Sequence, residues 1–353
     1  MRSDIVSVAE LTQFDSTIDV RSPAEFAEDR LPGAISCPVL DDDERARVGT
    51  LYKQESPFAA RKIGAVLVAR NIARYIESRF LAQPRTWRPL VYCWRGGQRS
   101  GAMVTILRQI GWDAKQLDGG YKAFRRAVIA DLTRWPSAFR FRVLCGLTGS
   151  GKTRLLRALP AHGGQILDLE ALAVHRGSLL GDVPASPQPS QKAFETAIRS
   201  ALAGLDRTRP VFVESESRRI GALRLPETLV ECMRASPCLD VRADLATRVA
   251  LLKEEYRHFL AARSVLAHQL EALLPLHGHE IVGRWRAWIH AGEWDALVAD
   301  LLMRHYDPAY TRSIGNHFPA QARASAVQVR DASPATFDDL AAALVREPVD
   351  ALG

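Results

Sequence analysis

Two short stretches of this 353-residue chain hold residue types that do covalent or phosphate chemistry. The first is VYCWRGGQRSGAM, residues 91–103, in which Cys93 ends an apolar run and Arg95, Gly96, Gly97 and Arg99 follow it. The run reads as a strand, and the residues after the loop as a helix beginning near Ser100. A thiol at that junction lies where unpaired N–H groups and the helix dipole favour an anion. Its pKa should therefore fall below about 8.5, leaving a thiolate able to act as a nucleophile. Gly96 and Gly97 let several N–H groups aim at one point, and the two arginines add positive charge. A small buried structural thiol is the ordinary reading of a bare cysteine, but the glycine and arginine loop favours a reactive one.

The second stretch is GLTGSGKT, residues 146–153, which satisfies G-x-x-x-x-G-K-[ST] between a strand-like FRVLC and a helix-like TRLLRAL. The N–H groups around Gly146, Thr148, Gly149, Ser150 and Gly151 would cradle a diphosphate. Lys152 would reach its outer oxygens, and the Thr153 hydroxyl would face a Mg²⁺ ion. Downstream, PVFVESESRRIG puts Glu214 and Glu216 at a strand end, where acids could hold that metal or a water; Asp168 and Glu170, in ILDLEALAVHRGS, are similar candidates. Exposed acids at a strand end are the plain alternative. Cys145 reads as core, and Cys37, Cys232 and Cys238 carry no functional signal.

These residues must be positioned by alternating elements. Apolar strands STIDV, AISCPV, PLVYC and AKQLDGG alternate with helical stretches before Trp135-Pro136-Ser137, and RFRVLCGL, QILDL and PVFVES follow it in the same manner. Two α/β domains with mainly parallel sheets are expected, over residues 1–136 and 137–353, with a helical region from about Ala243 to Met303. Residues 181–191 form a short loop of low complexity.

Composition bounds the partners. Hydrophobic residues at 47% and charged residues at 25% describe an ordinary globular chain without a membrane-length apolar run. The N-terminus, broken by Asp4, Glu10 and Asp15, lacks the apolar core of a secretory signal, so a cytoplasmic location is expected. Five scattered cysteines form neither a zinc pattern nor a disulfide framework. The net charge of +7 is unevenly spread: residues 1–60 carry 6 Lys/Arg against 12 Asp/Glu, whereas residues 61–126 carry 14 against 3. That basic stretch, with Trp87 and Trp94 for stacking, is a candidate surface for RNA.

The cysteine loop resembles the persulfide loop of rhodanese-type sulfurtransferases. IDVRSPAEFAEDRLPGA (18–34) and LDGGYKAFRRA (117–127) are similar to that family's other landmarks through Asp19, Arg21, Glu25, Pro32 and Gly33. Arg30 replaces the usual histidine, and residues 41–80 are an insertion. With LDDDERARVGTLYKQESPFAARKIGAVLVARNI, GLTGSGKT, LDLEALAVHRGS, QPSQKAFE, VESESRRIG and HYDPAYTRS added, the pattern from residue 12 to 313 resembles the tRNA 2-selenouridine synthase family.

The resemblance implies a rhodanese-like domain followed by a P-loop NTPase-like α/β domain with a helical C-terminal region. It further implies tRNA carrying wobble 2-thiouridine as substrate, and selenophosphate and geranyl diphosphate as co-substrates without a tightly bound cofactor. Cys93 would carry selenium as S-selanylcysteine, and a selenophosphate-supplying enzyme would be a partner. Two rivals remain at this point: a P-loop ATPase or kinase regulated by a rhodanese module, and a sulfur-relay adaptor.

Overall fold

Parallel strands of two separate sheets carry both candidate loops. The computed structural model describes residues 4–178, 180–183 and 186–346; the outer ends of the two predicted domains, Leu179, and Pro184 and Ala185 of the predicted loop lie outside the described residues. The chain divides into two units: the part up to Leu132 with Pro189–Ser200, and Thr133–Gln188 with the part from Ala201 onward.

The first unit contains β1 (Ile5–Val6), β2 (Ser16–Asp19), α1 (Pro23–Glu28), β3 (Ile35–Ser36), α2 (Asp42–Gln54), α3 (Pro57–Tyr75), β4 (Pro89–Tyr92), α4 (Gln98–Ile110), β5 (Lys115–Leu117) and α5 (Gly120–Arg134). Its sheet has the order β1-β5-β4-β2-β3, with every neighbouring pair parallel. Covering helices on a parallel sheet bury both faces, and β4, PLVY, is accordingly buried throughout. The insertion forms α2 and α3. Asp41 caps α2 by accepting from Glu44 N at 2.7 Å, and the Glu44 carboxylate accepts from Asp41 N at 3.0 Å.

A buried charge pair braces this sheet against its loops. Arg21 Nη2 lies 2.6 Å from Asp19 Oδ2 and donates to the Asp29 carbonyl at 2.7 Å, and its guanidinium sits 4.1 Å above the Tyr121 ring. The Tyr92 hydroxyl donates to Asp19 at 2.6 Å, and the Tyr121 hydroxyl to Asp29 at 2.8 Å. Asp19 and Arg21 are almost wholly buried, so each charge depends on the other for compensation.

The second unit contains β6 (Phe141–Cys145), α6 (Lys152–Ala158), β7 (Gln165–Leu167) and α7 (Leu169–Ala173). Next in the chain is α8 (Gln191–Ala203), most of which belongs to the first unit; then come β8 (Val211–Glu214), β9 (Arg219–Ile220), β10 (Leu223–Arg224), α9 (Glu227–Arg234) and β11 (Cys238–Arg242). After them run α10 (Leu245–Glu255), α11 (Arg257–Ala261), α12 (Arg263–Leu270), α13 (Leu274–Ala291), α14 (Trp294–Leu301), α15 (Asp307–His317), β12 (Ser325–Gln328) and α16 (Pro334–Arg346). Its main sheet is parallel, in the order β12-β11-β6-β8-β7, with the phosphate-type loop leaving the central β6. A helical core around buried Trp285 joins α12, α13 and α14, as the periodicity of residues 243–303 predicts.

The structure departs from the expected layout in three places. The boundary lies at Leu132 rather than 136, and most of α8 belongs to the first unit. Lys192 pairs with Glu28 at 2.6 Å, Arg199 with Asp131 at 2.9 Å, and Thr196 Oγ1 donates to Asp29 at 3.0 Å; such ties between distant residues leave no periodic signal. Strands β1, β9, β10, β11 and β12 escape sequence inspection because they are short, charged or at an edge; in β12 only Val327 is buried. Trp87 cannot stack on RNA: it is buried between Phe80 and Trp112, with ring centroids 5.0 and 5.1 Å away. No helix of the described residues is long and apolar enough to cross a membrane.

Replacing Arg21 by Ala should destabilise the first unit by about 3–5 kcal/mol, because it strands Asp19 without its counter-charge. Urea unfolding followed by circular dichroism would measure this. A loss below about 1 kcal/mol would contradict the bracing role.

Candidate active sites

Cys93 follows β4, and the chain turns through residues 94–97 into α4, two residues earlier than the predicted helix start. Its Sγ accepts from Gly97 N at 3.3 Å and from Ser100 Oγ at 3.2 Å. Burial of the sulfur opposes ionisation, but the Ser100 hydroxyl and the N–H groups of Ser100, Arg95 and Gly97 outweigh it and hold the thiol below its ordinary pKa. Arg95 thus contributes its backbone N–H, while its side chain is exposed.

The expected second cation is committed elsewhere: Arg99 pairs with Glu25 at 2.9 Å, tying α1 to the loop. Sequence reading overlooked Ser100 and Gln116. Gln116 Nε2 donates to Ser100 Oγ at 2.9 Å and to the Gly97 carbonyl at 3.1 Å, and so orients the hydroxyl that faces the sulfur. The glycine-rich start of α5 is a steric requirement, since a Cβ on Gly120 would come within 2.3 Å of the Cys93 carbonyl and 2.5 Å of Gly96 N. Trp94 is half-buried beside Tyr121, with centroids 5.3 Å apart.

Much of the basic stretch is neutralised within the first unit. Arg88 pairs with Asp113, Arg99 with Glu25, Arg108 with Asp4, Lys115 with Asp113, and Arg125 with Glu195. The excess of charge counted along the chain therefore overstates the positive surface that this stretch presents.

In the second unit, residues 146–151 turn from β6 into α6, and Lys152 and Thr153 open that helix. A Cβ on Gly146 would lie 2.3 Å from the Val241 carbonyl, so only glycine lets β6 and β11 approach there. Lys152 Nζ donates to the Gly146 and Leu147 carbonyls at 2.7 and 3.2 Å, which holds the ammonium over the loop. Two later helices clasp it. Arg248 on α10 donates to the Thr148 carbonyl at 2.9 Å and pairs through both terminal nitrogens with Asp307, while Tyr310 on α15 accepts from Gly146 N at 2.6 Å. Asp307 and Tyr310 belong to HYDPAYTRS, whose spacing alone assigned them no role.

Opposite the loop, oxygens of Glu170, Glu214 and Glu216 lie within 4.8 Å of one another. Glu214 ends β8, Glu216 follows it, and Glu170 lies in the first turn of α7. Burial and then the charges of Glu214 and Glu216 push Glu170 up. Burial also raises Glu214, against the pull of Lys152 and Thr153; burial and Glu214 push Glu216 to about 7. Asp168 is not part of this cluster. It caps α7 by accepting from Ala171 N at 2.8 Å and pairs with Arg157 at 2.7 Å, so Glu170 takes the place expected for it. Thr153 Oγ1 lies 3.4 Å from Glu170, and one buried oxygen of Glu214 has no hydrogen-bond partner.

A cavity of about 630 Å³ joins Lys152, Thr153 and the three carboxylates to Arg218, His305 and Tyr306. Thr148, Ser178, Leu252, Tyr256 and Tyr306 also border an adjoining cleft walled almost entirely by apolar side chains, among them Phe259, Leu266, Trp294, Leu297 and Leu301. Tyr306 ends a π-helical turn, Leu302–Tyr306, of the kind that often marks functional positions. The cleft was not foreseen, because its walls come from four helices whose apolar faces read simply as core.

Residues 7–127 match the family model described as a rhodanese-like domain, and residues 139–281 the model described as the tRNA 2-selenouridine synthase AAA domain. A tRNA 2-selenouridine synthase of Nitrosomonas europaea is 39% identical over 267 residues, spanning 72% of this chain and 68% of the relative. Proteins of the same name from Marinobacter nauticus and Alcanivorax borkumensis are 41% and 37% identical. The matches span 68% and 72% of this chain, and 65% and 70% of those relatives.

Two pH responses follow from this geometry. The rate of Cys93 alkylation by iodoacetamide should rise with a midpoint below that of a free thiol, and Ser100→Ala should move the midpoint upward; an unchanged midpoint would show that the hydroxyl does not stabilise the thiolate. Carboxylates with raised folded pKa values bind protons more tightly folded than unfolded, so stability falls as pH rises from the ordinary carboxylate range through about 7. Glu214→Gln should flatten that fall in thermal melts recorded in EDTA between pH 5 and 8, and a slope equal to wild type would refute mutual repulsion as its source.

Proposed function

Because this chain belongs to the tRNA 2-selenouridine synthase family, we propose that it replaces the 2-sulfur of wobble 2-thiouridine in tRNA with selenium through an S-geranylated intermediate, using geranyl diphosphate and selenophosphate. The observation that carries the prenyl assignment is the apolar cleft continuous with the phosphate-type loop. A purine needs polar partners in its pocket, whereas a geranyl chain needs only an apolar wall. The two neighbouring linings match a diphosphate head and a hydrocarbon tail in chemistry; the cleft itself measures about 70 Å³, so its helices must part to admit the tail.

The chemistry proceeds from this placement. Thiouridine sulfur is a poor leaving group, but once alkylated it can depart from C2 as a thiol. In the first step the loop amides and Lys152 stabilise the departing diphosphate while the thiouridine sulfur attacks the allylic carbon. Glu170, Glu214 and Glu216 are an oxygen donor set suited to Mg²⁺, and the orphaned Glu214 oxygen fits that use. When bound, the ion would supply positive charge to the diphosphate oxygens.

In the second step Cys93 thiolate takes selenium from selenophosphate as S-selanylcysteine, with the surrounding N–H groups holding the anion. Displacement at selenium leaves phosphorus as phosphite. The carried selenium attacks C2 and expels geranylthiol, and an external thiol then frees the selenouridine from Cys93 with formation of a disulfide.

Nucleoside analysis after incubation with 2-thiouridine tRNA, geranyl diphosphate, selenophosphate and a thiol tests the scheme. Lys152→Ala should lose geranylation by about 100-fold or more. Cys93→Ala should still form the geranylated nucleoside but no selenouridine. Leu301→Trp, which fills the cleft, should raise the KM for geranyl diphosphate while leaving inorganic pyrophosphate binding unchanged. Selenation by Cys93→Ala, or release of orthophosphate instead of phosphite, would overturn the carrier role. Nucleotide hydrolysis without tRNA or prenyl donor would favour an ATPase.

A further inference from the structure

Strands β9 and β10 form a two-stranded antiparallel ribbon closed by Gly221 and Ala222. Gly221 has φ +58°, as the first position of such a tight turn requires, and Gln188 pins the turn by accepting from Ala222 N at 2.8 Å and donating to the Ile220 carbonyl at 3.0 Å. Ile220 and Leu223 are buried, so the alternation of the ribbon sends Arg219 and Arg224 to the exposed face. In the observed register these two arginines stand directly opposite one another.

Arg218 precedes the ribbon, and a further arginine lies beside it. Arg234 on α9 is partly desolvated, its Nε is buried without a hydrogen-bond partner, and the nearby Arg218 charge further lowers its pKa. Among the described residues, no carboxylate forms an ion pair with Arg218, Arg219 or Arg234.

The position of the group says what would relieve it. Arg218, Arg219 and Arg234 border the cavity that contains Lys152 and Thr153, and Arg218, Arg219 and Arg224 border a second depression of about 300 Å³ beside it. Arg218 and Arg219 thus border both the cavity at the loop and the depression beside it, which Glu227 also lines. Resting on the reading that a tRNA base enters this cavity, we infer that the β9–β10 ribbon and Arg234 grip the RNA phosphates flanking that base. The backbone of a single-stranded loop supplies successive negative charges next to an inserted base, which is the pattern that these arginines complement.

Anisotropy of a fluorescent tRNA transcript binding the full-length protein, measured across a KCl series, tests this grip. Each lost contact to a single-strand phosphate lowers the slope of log affinity against log salt by about 0.7, so the Arg219→Ala/Arg234→Ala double variant should lose about 1.4 and bind about tenfold more weakly at low salt. Arg219→Lys/Arg234→Lys should keep most of the slope, which a merely structural role would not predict. Geranyl diphosphate binding should match wild type, and the melting temperature should not fall, in both variants. An unchanged slope and affinity would overturn the grip, as would loss of geranyl diphosphate binding with tRNA binding intact. Failure of the wild-type protein to bind the transcript would instead overturn the tRNA-substrate reading on which the grip rests.

Discussion

Confining like charge in a small space is the constraint on which the second unit is organised. Three carboxylates whose oxygens lie within 4.8 Å cannot all remain ionised away from water without a cation close by. The parallel sheet supplies the confinement, because Glu214 ends β8 beside the central β6 and is almost wholly buried. It also supplies the response, since the loop leaving β6 opens the helix that carries Lys152 and Thr153. Arg248, Asp307 and Tyr310 then fix the backbone of that loop from outside. The cluster is thus an open electrostatic circuit, stable enough to fold but improved by any cation that reaches it.

The first unit solves the opposite problem, holding an anion on sulfur within a buried loop. Its means are neutral dipoles rather than guanidinium groups: the Ser100 hydroxyl and backbone N–H groups converge on Cys93, while Arg95 is exposed and Arg99 is paired with Glu25. Such an arrangement suits a nucleophile that must be both stabilised and released. A tight ion pair with arginine would lower the pKa further but would also blunt the thiolate. Rigidity comes from below the loop, where Asp19, Arg21, Tyr92 and Tyr121 lock β2, β4 and α5 together.

Strands β4 and β6 and the loops that leave them were legible in the sequence because each combines an apolar run with glycines and charged residues at fixed offsets. Local patterning also exposed Glu214 and Glu216. Choosing between Asp168 and Glu170 was beyond it: they are two residues apart at the start of α7, and only the capping bond to Ala171 and the pair with Arg157 turn Asp168 away from the cluster. Ser100 and Gln116 act through polar contacts that no periodicity encodes. The basic stretch misled in a different way, since a count along the chain does not record that Arg88, Arg99, Arg108, Lys115 and Arg125 meet acids in space.

The same distinction between count and placement gives the large cavity its meaning. It has carboxylates on one wall and arginines on its rim, yet no ion pair joins Arg218, Arg219 or Arg234 to Glu170, Glu214 or Glu216. Opposite charges sharing one space would gain energy by collapsing onto each other, so the fold must hold them apart. Glu214 and Glu170 are held by their sheet and helix, and the arginines by a ribbon that Gln188 pins in place. Charge kept separated across a cavity favours a ligand that bridges it. On the proposed reading that ligand is RNA, with phosphate at the arginines and a neutral reacting base between the walls, whereas a diphosphate alone would need only the loop and the carboxylates.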